Sequence, residues 1–384
     1  MATCAAMPIS DISRISFNNE DHVTNNKKAL EEEEIIPTEQ LLLSIVRKGS
    51  LTSIPKTLCV DHQDLDISFP PTNATNLLQR CKTELGKLPN PIKRQFGRKS
   101  LAKTKDTIRI IQWNHLSQTL GTKNDNFVRC NPQALDWSSR RWRLLEEIIR
   151  YDPDIICLQE VDHFKLLQRA LGSIGYGGRF VPKPDSPCLY LEDNNGPDGC
   201  AIFYKTSQFH LDSSASHILS VWGVESNQVV LSLLLTHRKT GKELCVATTH
   251  LKARTGDLLT SMRNEQGKDI LDWLQTTRES RPVIISGDFN ADPCEPVYST
   301  MTGSRETPLM SAYGGQGRQG EYTTWKIRET GEQKHILDYI FHSPQLETVS
   351  TLDMPSEQQL GEDKLPSLQF ASDHLSLVAD LCLA

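Results

Sequence analysis

The sequence predicts an α/β fold in which two packed β-sheets are flanked by helices. Short apolar segments with the β-branched residues typical of strands recur from about residue 107 to the C-terminus. Predicted strands outnumber predicted helices, and neighbouring strands are joined in some places by turns and in others by a helix. A purely parallel sheet would need a crossover helix between strands, so this mixture favours two mixed sheets.

The first predicted elements alternate between strand and helix. Residues 108–114 have strand character, and residues 140–151 repeat apolar side chains at helical spacing after the N-cap candidates Ser138 and Ser139. An apolar strand over 154–160 follows and ends in a carboxylate. The later predicted elements are a helix over 163–171, strands over 199–204, 228–236, 243–250, 283–286, 336–342 and 375–381, and a helix over 257–274.

The chain divides into three regions by composition. Residues 1–55 are polar and acidic, which predicts a disordered leader with one short helix near 39–47. Residues 56–105 are predicted to form a linker with a short helix over 73–85. Residues 106–384 carry the strand pattern and are predicted to form one catalytic domain.

Composition limits the class of protein. The formal net charge of −6 argues against a general nucleic-acid coat protein, which would have a broad basic surface. There is no apolar run approaching ~20 residues, so no membrane span is expected. The N-terminus has neither an apolar signal core nor an Arg-rich presequence, and the ten cysteines lack zinc-site spacing. These features predict a cytoplasmic protein with reduced thiols.

Polar side chains end four of the apolar strands, and two further polar groups lie inside or just before a strand. Such groups are costly to bury unless they are paired or bind a metal. The set comprises Asn114, Gln159, Glu160, Thr249, His250, Asp288, Asn290, Asp338, Asp373 and His374.

The residue types in this set indicate a reaction class. Carboxylate and amide oxygens suit Mg²⁺ rather than zinc, and histidines beside carboxylates suit proton transfer or stabilisation of charge. No Ser-His-Asp elbow or Cys nucleophile motif is visible. The sequence therefore predicts metal-assisted hydrolysis of a phosphate ester.

Each member of the set also has a plain structural explanation. Asp288 and Asn290 fit ordinary turn chemistry, His250 fits a hydrogen-bonded core histidine, and Asp373 with His374 fits a cap or turn. The functional interpretation depends on their joint occurrence at strand ends.

Three cations are candidates for substrate binding. Lys252 and Arg254 follow His250 at alternating positions, and Lys183 lies between two prolines that stiffen its segment. Together they would suit a compact substrate with several phosphates. The alternative is that they are solvated surface cations.

The motif series resembles that of the exonuclease–endonuclease–phosphatase superfamily, in the same order along the chain. The resemblance implies a four-layered α/β sandwich and Mg²⁺-dependent phosphoester cleavage, with Mn²⁺ as a substitute cation. The motifs are Gln112-Trp113-Asn114, Leu158-Gln159-Glu160, Thr249-His250-Leu251, Gly287-Asp288-Phe289-Asn290, Leu337-Asp338-Tyr339 and Ser372-Asp373-His374.

The resemblance also implies roles for these positions. Glu160 would be the principal metal ligand, with Asn114 nearby and Asp373 supporting the metal side. The catalytic positions would be Asp288 to orient or deprotonate water, Asn290 on a phosphate oxygen, His374 on the developing charge and held by Asp338, and His250 on phosphate or bracing the site.

Further motifs resemble a branch of this superfamily that is related to the deadenylases. They include Pro182-Lys183-Pro184, the segment 194–200, the segment 250–256 and Tyr322-Thr323-Thr324-Trp325-Lys326. The resemblance implies a phosphatase that removes the 2′-phosphate of NADP⁺ and NADPH, with Asn195 and Asn227 contacting ribose or adenine.

Two other functions remain open on the sequence. A poly(A)-specific 3′ exoribonuclease would need a groove for several phosphates and aromatic platforms, for which Phe127, Tyr322 and Trp325 are candidates. A catalytically silent scaffold would have no reason to keep the full set of costly charges. The dinucleotide is the favoured partner.

Overall fold

The computed structural model describes residues 64, 67–98, 107–304, 306, 308–314 and 321–383. The predicted leader over 1–55 and its helix near 39–47 lie outside the described residues.

The elements follow one another with short connections. The helices are α1 (Ala74–Leu85), α2 (Gln118–Lys123), α3 (Pro132–Leu135), α4 (Trp137–Arg150), α5 (Phe164–Gly172), α6 (Asp257–Thr277), α7 (Pro296–Gly303) and α8 (Glu357–Leu360). The strands are β1 (Phe96–Arg98), β2 (Thr107–Asn114), β3 (Ile155–Gln159), β4 (Tyr176–Pro182), β5 (Gly199–Lys205), β6 (Phe209–Val221), β7 (Val224–His237), β8 (Glu243–His250), β9 (Val283–Asp288), β10 (Met310–Ser311), β11 (Thr324–Arg328), β12 (Gly331–His335), β13 (Asp338–His342), β14 (Leu346–Leu352) and β15 (Leu377–Leu383).

Two mixed sheets form the centre of the fold. The first has the order β1-β14-β15-β2-β3-β5-β4 and the second β10-β13-β9-β8-β7-β6, while β11 and β12 form a separate hairpin. Each sheet has one parallel pair, β2 with β3 and β8 with β9, and each pair is connected by a helix, α4 or α6. The carboxyl ends of these four strands carry most of the candidate residues.

The core has three apolar layers, which give the sandwich its four layers of secondary structure. Ile110 of β2 packs between the two sheets, whereas its neighbour Ile111 packs outward with Trp142 of α4. Ile270 of α6 packs on the outer face of the second sheet, against Ile285. Alternate residues of a strand point to opposite faces, so each sheet is covered on both sides, as the α/β prediction required.

Several local predictions need correction. The N-cap of α4 is Asp136, not Ser138 or Ser139, because its carboxylate accepts a hydrogen bond of 3.0 Å from the backbone N–H of Ser138. Strands β4, β6 and β14 and the β11–β12 hairpin were not predicted. The β6–β7 connection has positive φ at Trp222 and Gly223, a two-residue turn without the usual Asn-Gly signal.

The helix predicted within the linker is present and packs into the domain. Leu77, Cys81 and Leu85 of α1 are buried in the same apolar cluster as α4. Strand β1 pairs with β14 in antiparallel orientation. The packed fold therefore extends upstream of residue 106, where the catalytic domain was expected to begin.

Among these helices, none is both long enough and apolar enough to cross a membrane. The cysteines of the described residues are free thiols.

Candidate active site

The two parallel strand pairs bring their carboxyl ends to the same edge of the sandwich. Asn114 ends β2, Glu160 follows β3, His250 ends β8 and Asp288 ends β9. Asp338 begins β13 directly opposite Asp288 in an antiparallel register. This topology brings the candidate residues of both sheets together.

Buried glutamines connect the two sheets beneath the site. Gln112 of β2 donates from its amide to Gln159 Oε1 at 2.7 Å and to Asp338 Oδ1 at 3.1 Å. Gln159 in turn donates to Thr248 Oγ1 at 2.9 Å. Since buried amides specify a unique partner geometry, these bonds fix the spacing of the strand ends from both sheets.

Asn114 lies between two carboxylates. Its amide nitrogen donates to Glu160 Oε1 at 3.0 Å and to Asp288 Oδ2 at 2.9 Å, while its oxygen accepts from the backbone N–H of Leu116. Glu160 also accepts from the backbone N–H of Ser117 at 3.1 Å and has a positive φ of 53°. Asn114 thus presents N–H groups that hold the two acids together.

Asp288 is the buried acid at the centre. Burial, strengthened by the charge of Asp338, raises its pKa to about 6, although His374 and Asn114 oppose the shift. The carboxylate also accepts from the backbone N–H of Asn290 at 2.9 Å. A carboxylate with this pKa is a stronger base than an exposed one and is still ionised at pH 7.

Gly287 permits the close approach of β8 and β9 beside Asp288. A Cβ at this position would lie 2.1 Å from the carbonyl oxygen of Thr249, which no side chain could tolerate. Beyond the strand, Asn290 adopts a positive φ of 50° and donates from its amide to the carbonyl of Leu251 at 3.1 Å. The NH₂ group of Asn290 carries a second N–H that no acceptor among the described residues takes up.

His374 and Asp338 form a buried hydrogen-bonded pair. The Nδ1 atom of His374 lies 2.8 Å from Asp338 Oδ2, and Thr323 Oγ1 donates to the same oxygen at 2.6 Å. Burial alone would lower the pKa of His374, but Asp338, Asp288 and Asp373 raise it to about 9. His374 is therefore a cation at neutral pH, with Nε2 3.8 Å from Asp288 Oδ2.

His250, in contrast to His374, is a neutral imidazole. Its Nε2 lies 3.7 Å from Asp288 Oδ2, and its Nδ1 lies 3.3 Å from the ammonium of Lys183. Burial and the positive charges of Lys183 and His374 lower its pKa well below the usual range. A neutral imidazole carries one N–H. Because Nδ1 accepts from Lys183, the hydrogen is on Nε2, which faces Asp288.

Asp373 is held by cations of the β11 strand. Lys326 forms a salt bridge with its carboxylate, and Arg328 lies 3.6 Å from the same oxygen. Burial would raise the pKa of Asp373, but the charges of Lys326 and His374 outweigh burial and hold it well below its usual range. Arg328 also reaches Asp125 at 2.9 Å, and burial raises the pKa of that carboxyl to about 7.

The donor set fits a divalent cation that prefers oxygen. Asp288, Asp338 and His374 offer ligand atoms within 4.8 Å of one another. However, Asp338 is already hydrogen-bonded on both oxygens and His374 is positively charged, so this trio is poorly suited to a cation. Glu160 is half-buried and accepts only two N–H bonds among the described residues, from Asn114 and Ser117, whereas Asp338 accepts from three side chains, so Glu160 keeps more lone pairs for a hard metal ion.

Lys183 differs from the other two candidate cations. Its ammonium forms a salt bridge of 2.6 Å with Asp198, a fully buried residue that sequence reasoning missed. Burial would lower the pKa of Lys183, but Asp198 and Glu160 raise it above the usual range. Lys183 is therefore a fixed charge behind His250.

Lys252 and Arg254 lie on the connection after β8. Burial and the charges of Arg254 and Lys183 lower the pKa of Lys252, so the three cations share one side of the site. Within the described part of the chain, neither Lys252 nor Arg254 has an acidic side-chain partner, and Arg254 is exposed. Both are open to an anionic substrate.

A buried arginine fixes this connection from behind. Arg263 of α6 donates to the carbonyls of Lys252 at 3.1 Å and Arg254 at 2.8 Å, and pairs with Glu295 at 2.6 Å. Sequence reasoning missed Arg263 and Glu295. No local pattern connects them with the residues they support.

The two asparagines proposed for substrate binding are placed differently. Asn227 uses both ends of its amide on the backbone of Asp185, so it braces the loop after Lys183. Asn195 is half-buried and bonds His163 through its amide nitrogen, which leaves its oxygen open.

The candidate aromatic platform is only partly available. Tyr322 and Trp325 are buried, and the ammonium groups of Lys334 and Lys364 cover the Trp325 ring at 4.0 and 4.2 Å. Phe127 is half-exposed beneath the guanidinium of Arg328. Of the three candidates, Phe127 alone remains accessible for stacking.

Known proteins resemble both the sequence and the fold. The Endonuclease/Exonuclease/phosphatase family model matches residues 111–374. Nocturnin of Drosophila melanogaster is 44% identical over 397 residues, and the alignment covers 90% of this chain but only 62% of that protein.

Two solved structures share this architecture. The human Nocturnin catalytic domain with bound sulfate anion matches with a TM-score of 0.64 at 40% identity, covering 78% of this chain and 100% of that one. ANGEL2, a 2′,3′-cyclic phosphatase in complex with adenosine-2′,3′-vanadate, matches with a TM-score of 0.63 at 26% identity, covering 76% and 99%.

Proposed function

This chain belongs to the endonuclease/exonuclease/phosphatase family and groups with the nocturnins, and we propose that it is a Mg²⁺-dependent phosphatase of NADP⁺ and NADPH. The proposed reaction removes the phosphate on the 2′-oxygen of the adenosine ribose and gives NAD⁺ or NADH. The observation that carries this proposal is the pair of unpaired cations, Lys252 and Arg254, beside a buried acid centre.

The cations favour a compact, highly charged substrate. Lys252 and Arg254 sit two and four residues beyond His250, and Arg263 holds their backbone in place. One cation can bind the phosphate under attack while the other binds the diphosphate bridge of a dinucleotide. Arginine contributes a bidentate contact and lysine a point charge.

The relatives support the position of attack. The human Nocturnin structure holds a sulfate, an anion with the shape and charge of phosphate. The ANGEL2 structure holds a vanadate on the 2′ and 3′ oxygens of adenosine. A phosphate on the 2′-oxygen of an adenosine ribose is the group that our proposal places in this centre.

In the proposed mechanism Asp288 acts on the attacking water. The carboxylate orients the water and accepts its proton as the water oxygen bonds to phosphorus. The bond from phosphorus to the ribose 2′-oxygen breaks, and that oxygen takes up a proton to give the free hydroxyl and inorganic phosphate. The pKa of about 6 for Asp288 matches the requirement for a base that is ionised yet still basic at pH 7.

The remaining residues stabilise charge. Cationic His374 faces the phosphoryl oxygens and is kept protonated by Asp338. Neutral His250 and the amide of Asn290 offer further hydrogen bonds at the same edge. These preorganised donors act where negative charge develops, which is the arrangement that lowers the barrier most.

Glu160 is the residue best placed to hold Mg²⁺, and Asn114 separates it from the base Asp288. When bound, the cation would neutralise charge on the phosphate oxygens.

An exoribonuclease acting on poly(A) is the second candidate. The family includes exonucleases, and one adenine could stack on Phe127. Burial of Tyr322 and Trp325 removes the other platforms that a strand of adenines would use. A catalytically silent scaffold is disfavoured, because Asp288, Asp338 and His374 form a complete and mutually adjusted set of charges.

A side-by-side assay tests the proposal. Purified protein with Mg²⁺ would be given NADP⁺, NADPH or a short oligo(A), and phosphate release and strand shortening would be measured against an Asp288→Ala blank. We expect phosphate release from both dinucleotides. Shortening of oligo(A) without phosphate release from either dinucleotide would overturn the proposal in favour of the exoribonuclease.

A further inference from the structure

Asp64 lies upstream of the range that the family model matches, yet it is buried against the domain. Its Oδ1 accepts from the indole N–H of Trp137 at 3.0 Å, and its Oδ2 lies 2.8 Å from Nδ1 of His163. The guanidinium of Arg141 lies 3.4 Å from Oδ1, and Arg169 donates to the backbone carbonyl of Asp64. Four side chains from two helices, α4 and α5 with its N-cap His163, therefore converge on this one residue.

The carboxylate dictates which nitrogen of His163 carries hydrogen. Burial would raise the pKa of Asp64, but the hydrogen bonds from His163 and Trp137 and the charge of Arg141 outweigh burial and lower it. An ionised carboxylate only accepts, so Nδ1 of His163 must donate. The ring lies flat on Trp137, with centroids 3.7 Å apart and an interplanar angle of 19°, which fixes its plane.

The other ring nitrogen then orients Asn195. Nε2 of His163 lies 2.9 Å from Nδ2 of Asn195, an amide nitrogen that only donates. Nε2 must therefore accept and the ring is neutral. With its nitrogen so used, Asn195 directs its amide oxygen away from His163.

The loop that carries Asn195 is attached to the catalytic centre. It ends at Gly199, whose backbone exchanges two hydrogen bonds with Val161, the residue after Glu160. Within it, Asp198 holds Lys183 against His250. The oxygen of Asn195 has no hydrogen-bond partner among the described residues.

We propose that Asp64 and His163 are positioning residues that set the polarity of Asn195, so that it presents a hydrogen-bond acceptor to the substrate. This inference rests on the proposed function and on the contact of Asn195 with ribose or adenine that the sequence resemblance implies. The matching substrate group is a donor, either a ribose hydroxyl or the exocyclic amine of adenine. A residue upstream of the matched family range thereby helps to determine substrate binding.

The sharpest test is Asp64→Asn. The amide keeps an acceptor for Trp137 but presents a donor to His163. Nδ1 must then accept, Nε2 must carry the hydrogen, and Asn195 must turn its oxygen to the ring and its NH₂ to the substrate. We expect the KM for NADPH to rise roughly fivefold with kcat within about twofold of wild type.

Three further variants complete the test. Asn195→Ala is expected to raise the KM by a similar factor, and adding Asp64→Asn to it should change nothing more, because both act through one group. The control is Asp136→Asn, a neighbouring carboxylate-to-amide change that keeps the N-cap of α4. Its KM should equal that of wild type.

Nitrogen NMR of the histidine side chains gives a readout that does not depend on turnover. His163, assigned with His163→Gln, should carry hydrogen on Nδ1 in wild type and on Nε2 in Asp64→Asn. Three results would overturn the inference. They are an unchanged tautomer of His163, an unchanged KM in Asp64→Asn, and a KM in the double variant that shows the product of the two single effects. If wild type released no phosphate from NADPH, the proposed function would fail, and the tautomer result would still decide whether Asp64 controls His163.

Discussion

The proposed catalytic centre and the proposed substrate rim of this site are built in different ways. The centre consists of residues at strand ends, and Asn114, Asp288, Asp338 and His374 are each at most 4% exposed. Asn114 hydrogen-bonds to Asp288, and His374 to Asp338. The rim consists of Lys252, Arg254 and Asn195 on loops, which are half-buried or exposed.

Each rim residue is held from behind by a buried group that does not face the substrate. Arg263 supports Lys252 and Arg254, and His163 supports Asn195. The difference suggests a division of tasks: the centre fixes the reaction, and the rim, through its supports, fixes the substrate. Substitutions in the two regions should therefore affect different kinetic parameters.

The largest expected effect belongs to Glu160→Ala. Loss of this carboxylate removes the principal oxygen ligand of the proposed cation site, so kcat/KM should fall about a thousandfold or more for every phosphoester substrate. The matched control is Asp193→Ala, since Asp193 also has a positive φ, of 51°, and its salt-bridge partner among the described residues is the exposed Lys123. Phosphate release at modest Mg²⁺ is the measurement. Near-normal turnover by Glu160→Ala would contradict the assignment of Glu160 to the centre.

The second effect concerns the charge of His374. Its pKa of about 9 means that the imidazolium is present below that pH and is lost above it, so activity should fall on the alkaline side near pH 9. Asp338→Asn removes the carboxylate that favours the cation. The alkaline limb should then move to lower pH, and kcat at neutral pH should fall about a hundredfold.

The pH–rate profile of kcat checks this prediction. Asp292→Asn is the control, because Asp292 pairs with His335 at the same distance of 2.8 Å but outside the centre. An alkaline limb that stayed in place in Asp338→Asn would show that His374 does not act as a cation in the reaction.

The third effect separates the rim from the centre. Arg254→Ala should raise the KM for NADP⁺ about tenfold, because one charge-assisted contact to phosphate is lost, while kcat changes less. Lys239→Ala removes an exposed cation in the turn before β8, at the opposite end of that strand from His250, and should change neither the KM nor kcat. A fall in kcat alone would place Arg254 in the centre and break the distinction.

The centre could be predicted from the sequence because its residues mark the ends of apolar strands. A polar residue at the end of a buried strand is visible in the local pattern, as Asn114, Glu160 and Asp288 were. The rule that carboxyl ends of parallel strands share an edge applies within each sheet, and the meeting of the two edges was not predicted.

The supports of the rim could not be predicted in this way. Glu295 meets Arg263 across 32 positions of the chain, and Asp64 meets His163 across 99 positions. Such contacts depend on tertiary packing, which leaves no periodic signal in either segment. Strand β6 was not predicted for a related reason. It is an edge strand with several exposed serines, and it lacks the apolar alternation of a buried strand.

The smallest expected effect, from Glu295→Gln, tests whether the supports matter. The amide keeps a hydrogen bond to Arg263 but removes the charge that balances its buried guanidinium. Arg263 should still hold the carbonyls of Lys252 and Arg254, though less firmly, so the KM for NADP⁺ should rise only about two- to threefold with kcat unchanged.

Glu306→Gln is the matched control for this change. Glu306 accepts a hydrogen bond from Gln275, which lies on the same helix α6 as Arg263, and among the described residues no contact joins it to the cationic loop, the connection after β8 that carries Lys252 and Arg254. Initial rates over a range of NADP⁺ concentrations give both constants. If Glu295→Gln lowered kcat and left the KM unchanged, its effect would reach the centre rather than the rim. The two regions would then be one cooperative unit, because a support of the cationic loop would be tuning Asp288 and His374 as well.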